Sequence, residues 1–119
     1  EHMNQERENK MSVIFNLSYT GKDGSAKKFA EEMVQTGLVA YIRSEPGNER
    51  YAYFQSLDDP ETILLIDQWK DQDALDAHHA DPVMSKIAAL RDKYDLHMKA
   101  ERLYPSDGML EKDQAFIRS

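Results

Sequence analysis

The sequence predicts an α+β fold of order β-α-β-β-α-β, on three observations. Val13 to Tyr19 sets Val13, Phe15, Leu17 and Tyr19 against Ile14, Asn16 and Ser18, the two-residue period of a strand. Tyr51 to Ser56 and Ile63 to Trp69 read as two more strands, separated by the loop residues Asp58-Asp59-Pro60-Glu61. Segments on either side of that pair repeat apolar residues at helical spacing, and Leu96, Met98 and Ala100 alternate with His97, Lys99 and Glu101 as a final strand.

In chain order, Glu1 to Lys10 contains no apolar residue except Met3 and reads as a disordered leader or an expression remnant. Gly21 to Gly24 turns the chain after the first strand, with Asp23 or Ser25 placed to cap a helix. That helix is expected over Ala26 to Ile42, burying Phe29, Ala30, Met33, Leu38, Tyr41 and Ile42. Gly37 interrupts it at about 1 kcal/mol relative to alanine, which suggests a close approach to the backbone there. Pro46 biases Glu45 out of the helical region, so the helix ends before Glu45-Pro46-Gly47-Asn48. Ile63-Leu64-Leu65-Ile66 is apolar on both faces, a pattern for a strand covered from both sides. In so small a chain helices cover one side, and a second subunit is the natural cover for the other. Asp71 to Ala80 reads as a short helix, and Asp81-Pro82 as the start of another that carries Val83, Ile87, Leu90 and Tyr94 on one stripe. Pro105 to Ser119 is a tail whose Met109, Leu110, Phe116 and Ile117 are suited to docking on a subunit surface. The expected organisation is therefore a leader over 1–10, one domain over 11–104 and a tail over 105–119.

Composition narrows the function. The 119 residues are 40 % hydrophobic and 31 % charged, as in a globular domain of single-core size. The net charge of −7 and the absence of a basic stripe argue against nucleic acid and anionic membrane as partners. Lys27 and Lys28 are followed by Glu31 and Glu32, which points to a solvated helix surface. No apolar run is long enough to cross a bilayer. Cysteine is absent, which removes disulfides and thiolate chemistry and fits a reducing cytoplasm. There is no glycine-rich phosphate loop and no nucleophile-elbow serine, and the four histidines have no zinc-ligand spacing, so no metal site is expected.

His78 is the leading candidate for chemistry. On a helix beginning near Ala74, the residues Ala74, Leu75, Ala77 and His78 share one side, whereas His79 lies about 100° further round, toward Asp76. An inward imidazole can accept a phenolic proton near neutral pH, or it can be a core histidine satisfied by a backbone carbonyl. Trp69 offers a ring for stacking and one N–H donor, or simply fills the core at a sheet edge. Asn16 is polar within an apolar strand and needs partners if buried. Tyr51 and Tyr53 share one face of their strand and Phe54 takes the other. Arg43 and Arg50 flank the Pro-Gly turn, either solvated or available to an anion.

The succession Glu45-Pro46-Gly47, Tyr51 to Ser56, Asp58-Asp59-Pro60, Ile63 to Trp69 and Ala74-Leu75-Asp76-Ala77-His78 resembles the antibiotic biosynthesis monooxygenase family, with likeness over roughly Met11 to Leu103. The resemblance implies a homodimeric ferredoxin-like α+β barrel. It also implies cofactor-independent oxygenation of an electron-rich phenol or hydroquinone by dioxygen. His78 falls on the family's recurring helix histidine and would be the base, while Asn16, Tyr53 and Trp69 would position the ring. Many members carry a second histidine followed by an aromatic residue where this chain has Val83-Met84, so Met84 would give an apolar, adaptable wall. The paired carboxylates often found before the tryptophan are here Asp67 and Gln68, leaving one acid. Related barrels also suggest isomerisation of a small phosphorylated carbonyl compound, which would require Arg43, Arg50, Lys86 or Arg91 to converge. Haem degradation and a non-catalytic, ligand-binding dimer are the remaining alternatives.

Overall fold

The computed structural model describes residues 2–106 and 108–118, so Glu1, Asp107 and Ser119, which the leader and tail readings include, lie outside the described residues. The elements run α1 (His2–Lys10), β1 (Val13–Thr20), α2 (Ser25–Gln35), α3 (Leu38–Ser44), β2 (Asn48–Gln55), β3 (Thr62–Trp69), α4 (Gln72–His79), α5 (Val83–Lys93), β4 (His97–Leu103) and α6 (Glu111–Gln114). One four-stranded antiparallel sheet has the order β2-β3-β1-β4. This is the ferredoxin-like arrangement expected from the pattern. The leader segment expected to be disordered is helical over His2–Lys10.

Register settles which face is which. Phe15 pairs with Asp67 and Arg102, Leu17 with Leu65 and Ala100, and Tyr51 with Asp67. Directly opposed residues share a face. Val13, Phe15, Leu17, Tyr19, Tyr51, Tyr53, Ile63, Leu65, Asp67 and Trp69 therefore lie on the helix-covered side. Phe29, Met33, Val39, Ile42, Leu75, Val83 and Ile87 close over them as the core. Ile14, Asn16, Ser18, Ala52, Phe54, Leu64, Ile66 and Gln68 lie on the opposite face, away from the core helices among the described residues. Alternation alone left the faces unassigned; the helices decide it.

Three local expectations are corrected. The single helix over Ala26 to Ile42 is two, because Gly37 takes a left-handed φ of 85°. A Cβ at Gly37 would meet nothing within 4 Å, so backbone conformation and not close packing explains this glycine. The break rotates Tyr41 out of the core, and its hydroxyl donates to Asp81 Oδ2 at 2.6 Å. Neither Asp23 nor Ser25 caps α2. Glu61, from the β2–β3 loop, accepts the backbone N–H groups of Asp23 and Gly24 at 2.8 Å each. Glu32 turns away from Lys28 and accepts from Lys93 Nζ at 2.8 Å and from the Tyr94 hydroxyl.

Candidate active site

The site begins with the turn Glu45-Pro46-Gly47. Ser44 ends α3 and Glu45 is extended, as proline after it requires. Gly47 has φ 86°, and a Cβ there would lie 2.5 Å from the Ala74 Cβ, so only glycine lets this turn nest against α4. The first turn of α4 is fixed by Asp71, whose carboxylate accepts the Ala74 N–H at 2.8 Å. Turn and helix together bring Glu45 Oε2 within 2.8 Å of His78 Nδ1.

His78 is buried, as its position on the apolar side of α4 predicted, but its partner is a carboxylate instead of a backbone carbonyl. Its ring stacks on Trp69 with centroids 4.6 Å apart and planes 25° apart. Trp69 is fully buried at the end of β3, and its Nε1–H donates to Asp67 Oδ1 at 2.7 Å. Asp67, His78, Trp69 and Glu45 thus form one contiguous polar strip within the core.

Beside this strip lies a cavity of about 170 Å³. Phe15, Leu17, Met84, Ile87 and Met98 supply apolar walls, and Tyr19, Tyr51, Asp67, His78 and Arg91 supply polar ones. Burial pushes the Asp67 carboxyl up to about 6, opposed by the Trp69 hydrogen bond and the nearby His78. Burial, and then Asp81, push Glu45 up to about 7, while burial holds the His78 imidazole below its ordinary value. Each shift disfavours the charged form of its group. Tyr19 is pushed up to about 12 by burial, so it stays a neutral hydroxyl. Arg91 donates through Nη1 to the Met98 sulfur at 3.8 Å and brings a cationic group to the cavity wall.

Of the residues singled out from the sequence, His78 and Met84 line the cavity. Trp69 sits behind it, stacked on His78 instead of facing the space. Tyr53 lies on the correct sheet face but packs edge-on against Phe29 and Tyr51. Asn16 is on the opposite face of the sheet and does not reach the cavity. His79 is exposed yet borders the cavity, its ring centroid 5.7 Å from that of His78, so the two imidazoles do not point apart as expected. Arg43 donates through Nε and Nη2 to the Tyr51 carbonyl, and Arg50 lies over Phe54, so only Arg91 of the four cations reaches the cavity. Among the described residues no group of three His, Asp or Glu could hold a metal ion. No helix of the described residues is long and apolar enough to cross a membrane.

Sequence reasoning missed Asp67 and Glu45 as site residues. The signal for Asp67 was parity: it continues Ile63, Leu65 and Trp69 on one face, so an acid there had to be buried.

A family model for antibiotic biosynthesis monooxygenases matches residues 12–90, which span the turn, both central strands and the histidine helix. The chain belongs to the antibiotic biosynthesis monooxygenase family. Within curated sequences, a Bacillus subtilis (strain 168) protein named "Putative monooxygenase YcnE" is 33 % identical over 42 residues, covering 35 % of this chain and 44 % of that protein. The match thus spans less than half the length of that relative. SnoaB of Streptomyces nogalater, a cofactor-independent oxygenase, superposes with a TM-score of 0.68 at 20 % identity, covering 85 % of this chain and 98 % of SnoaB. PA3566 of Pseudomonas aeruginosa superposes with a TM-score of 0.69 at 24 % identity, covering 82 % and 97 % of the two chains. At these identities the structural likeness establishes the ferredoxin-like fold that this family member shares with them.

Proposed function

We propose that this protein is a cofactor-independent monooxygenase of an electron-rich phenol or hydroquinone, working as a homodimer. The observation that carries the proposal is His78 at the wall of an apolar cavity, with Glu45 on Nδ1 and Asp67 on the same wall. Glu45 holds the imidazole in one orientation, which directs Nε2 toward substrate. His78 takes the phenolic proton: the O–H bond breaks and its electron pair stays on oxygen. The Asp67 carboxylate, with one oxygen held by Trp69, accepts a hydrogen bond from a second hydroxyl and orients the ring. Arg91 offers positive charge to the phenolate, and the apolar walls exclude water. The phenolate reduces dioxygen directly. The sum is hydroquinone plus O₂ giving hydroxyquinone plus water, with one oxygen atom entering the ring and the other leaving as water. The family membership and the likeness to SnoaB, a cofactor-independent oxygenase, support this reading.

The homodimer is supported by Ile14, Ala52, Phe54, Leu64 and Ile66 on the uncovered sheet face, an apolar surface that a second copy would bury. Absence of cysteine fits a cytoplasmic setting. The isomerase alternative is weaker, since the four cations that would bind phosphate do not converge.

An oxygen electrode with a panel of hydroquinones tests the proposal, with equimolar oxygen uptake and hydroxyquinone formation expected. Light scattering should give twice the 13.8 kDa chain mass. No uptake with any hydroquinone, together with unchanged substrate, overturns the enzymatic reading. A monomer at micromolar concentration overturns the barrel.

A further inference from the structure

His78 borders two spaces. One is the apolar cavity; the other is an open depression on the outer side of α4, formed with Glu45, Pro46, Lys70, Asp71 and Asp73. Glu45 lines that depression together with His78, its side chain 10 % exposed and its Oε2 on His78 Nδ1. An imidazole bonded on one nitrogen to a carboxylate can take a proton at one ring nitrogen while releasing another from the opposite one. We propose that Glu45 and His78 form a proton-exchange couple that joins the substrate-facing cavity to water in the outer depression. The inference rests on the function proposed above and assigns Glu45 a positioning and relay role within it.

In the outward step the substrate proton binds Nε2 as the Nδ1 proton passes to Glu45 Oε2, and from there to water in the depression. In the inward step Glu45, reprotonated from water in the depression, returns a proton to Nδ1 as the Nε2 proton passes to the distal oxygen of the ring hydroperoxide formed from O₂, whose O–O bond breaks so that this oxygen leaves as water. That return restores the starting tautomer, and no net proton is lost, as the balanced oxygenation requires. The surroundings suit rapid exchange. Burial, and then the charge of Asp81, raise the Glu45 carboxyl to about 7, while Asp67 and Asp81 both favour the imidazolium against burial. Burial, and then the neighbouring His78, hold the His79 imidazole below its ordinary value. Neither member of the couple is locked in one charge state.

Glu45→Gln is close to isosteric and leaves an oxygen to accept from Nδ1, but an amide cannot carry the proton onward. Nitrogen-15 NMR of the His78 imidazole in the substrate-free protein should show exchange with water slowed by about tenfold or more in the variant, at an unchanged melting temperature. With hydroquinone, kcat should fall about 10- to 100-fold while KM stays within about twofold. Glu45→Ala should regain turnover in proportion to added formate, which fits the depression and restores a carboxylate. Exchange and kcat at the parent level in Glu45→Gln overturn the couple, as does an Ala variant that formate leaves unchanged. If the parent protein oxidises no phenol or hydroquinone, the function proposed above falls by itself. The exchange rates of parent and Gln variant then decide the couple alone.

Discussion

Replacing Asp67 with asparagine keeps the shape of the side chain and an oxygen for the Trp69 N–H, but removes the charge that burial opposes. In the unfolded chain this carboxyl titrates at its ordinary 3.8, and in the folded protein at about 6. Between those values the unfolded chain has lost its proton while the folded one still holds it. Parent stability therefore falls as pH rises through that window, and the deficit is constant above it. A shift of about two pH units corresponds to about 3 kcal/mol at most, from 1.36 kcal/mol per unit. Asp67→Asn should thus be more stable than the parent by up to about 3 kcal/mol at pH 8, roughly 10 °C in Tm for a chain of this size. The gain should nearly vanish at pH 4. Urea unfolding at both values measures it, and oxygen uptake by the same samples should show turnover reduced about 10-fold or more. That combination is the signature of a buried acid kept for function at the expense of stability. An Asn variant no more stable than the parent at pH 8, or equally stabilised at pH 4 and 8, would refute the burial argument.

Further outcomes follow from the same geometry. His78→Ala should lower hydroquinone turnover about 10²–10⁴-fold, whereas His79→Ala should stay within a few-fold in kcat; Tm measured alongside separates chemistry from unfolding. Trp69→Phe removes the hydrogen bond that favours the Asp67 anion, so the acid limb of kcat/KM against pH should move upward by roughly one unit. Gly47→Ala meets both a left-handed φ and the Ala74 methyl, and should cost about 2–4 kcal/mol in urea unfolding. Gly37→Ala meets only the φ, and should cost about 1 kcal/mol.

Much of the fold was legible because its signals are local. Two-residue alternation set β1 and β4, a run apolar on both faces set β3, Pro46 and Gly47 ended α3, Asp71 started α4, and the apolar side of α4 turned His78 inward. The break at Gly37 was read as a packing site because a one-dimensional pattern records the glycine and not its φ. The caps were misread for a related reason: Glu61 reaches the start of α2 from nearly forty residues away, and no short-range motif registers that distance. The site shows the same division. His78 was identifiable from helical periodicity and family likeness, but its pairing with Glu45 arises only when the α3–β2 turn folds against α4. Asn16 was chosen for its polarity and for the family likeness, and only the position of the helices shows that it faces away from the cavity. Asp67 becomes a perturbed acid because strand pairing and the helices together seal it from water. Sequence by itself determined which residues are strand, helix and turn, since those depend on neighbours along the chain. Which polar groups meet, and which of them lose their water, was decided by tertiary structure, because burial and charge proximity are properties of three-dimensional contact.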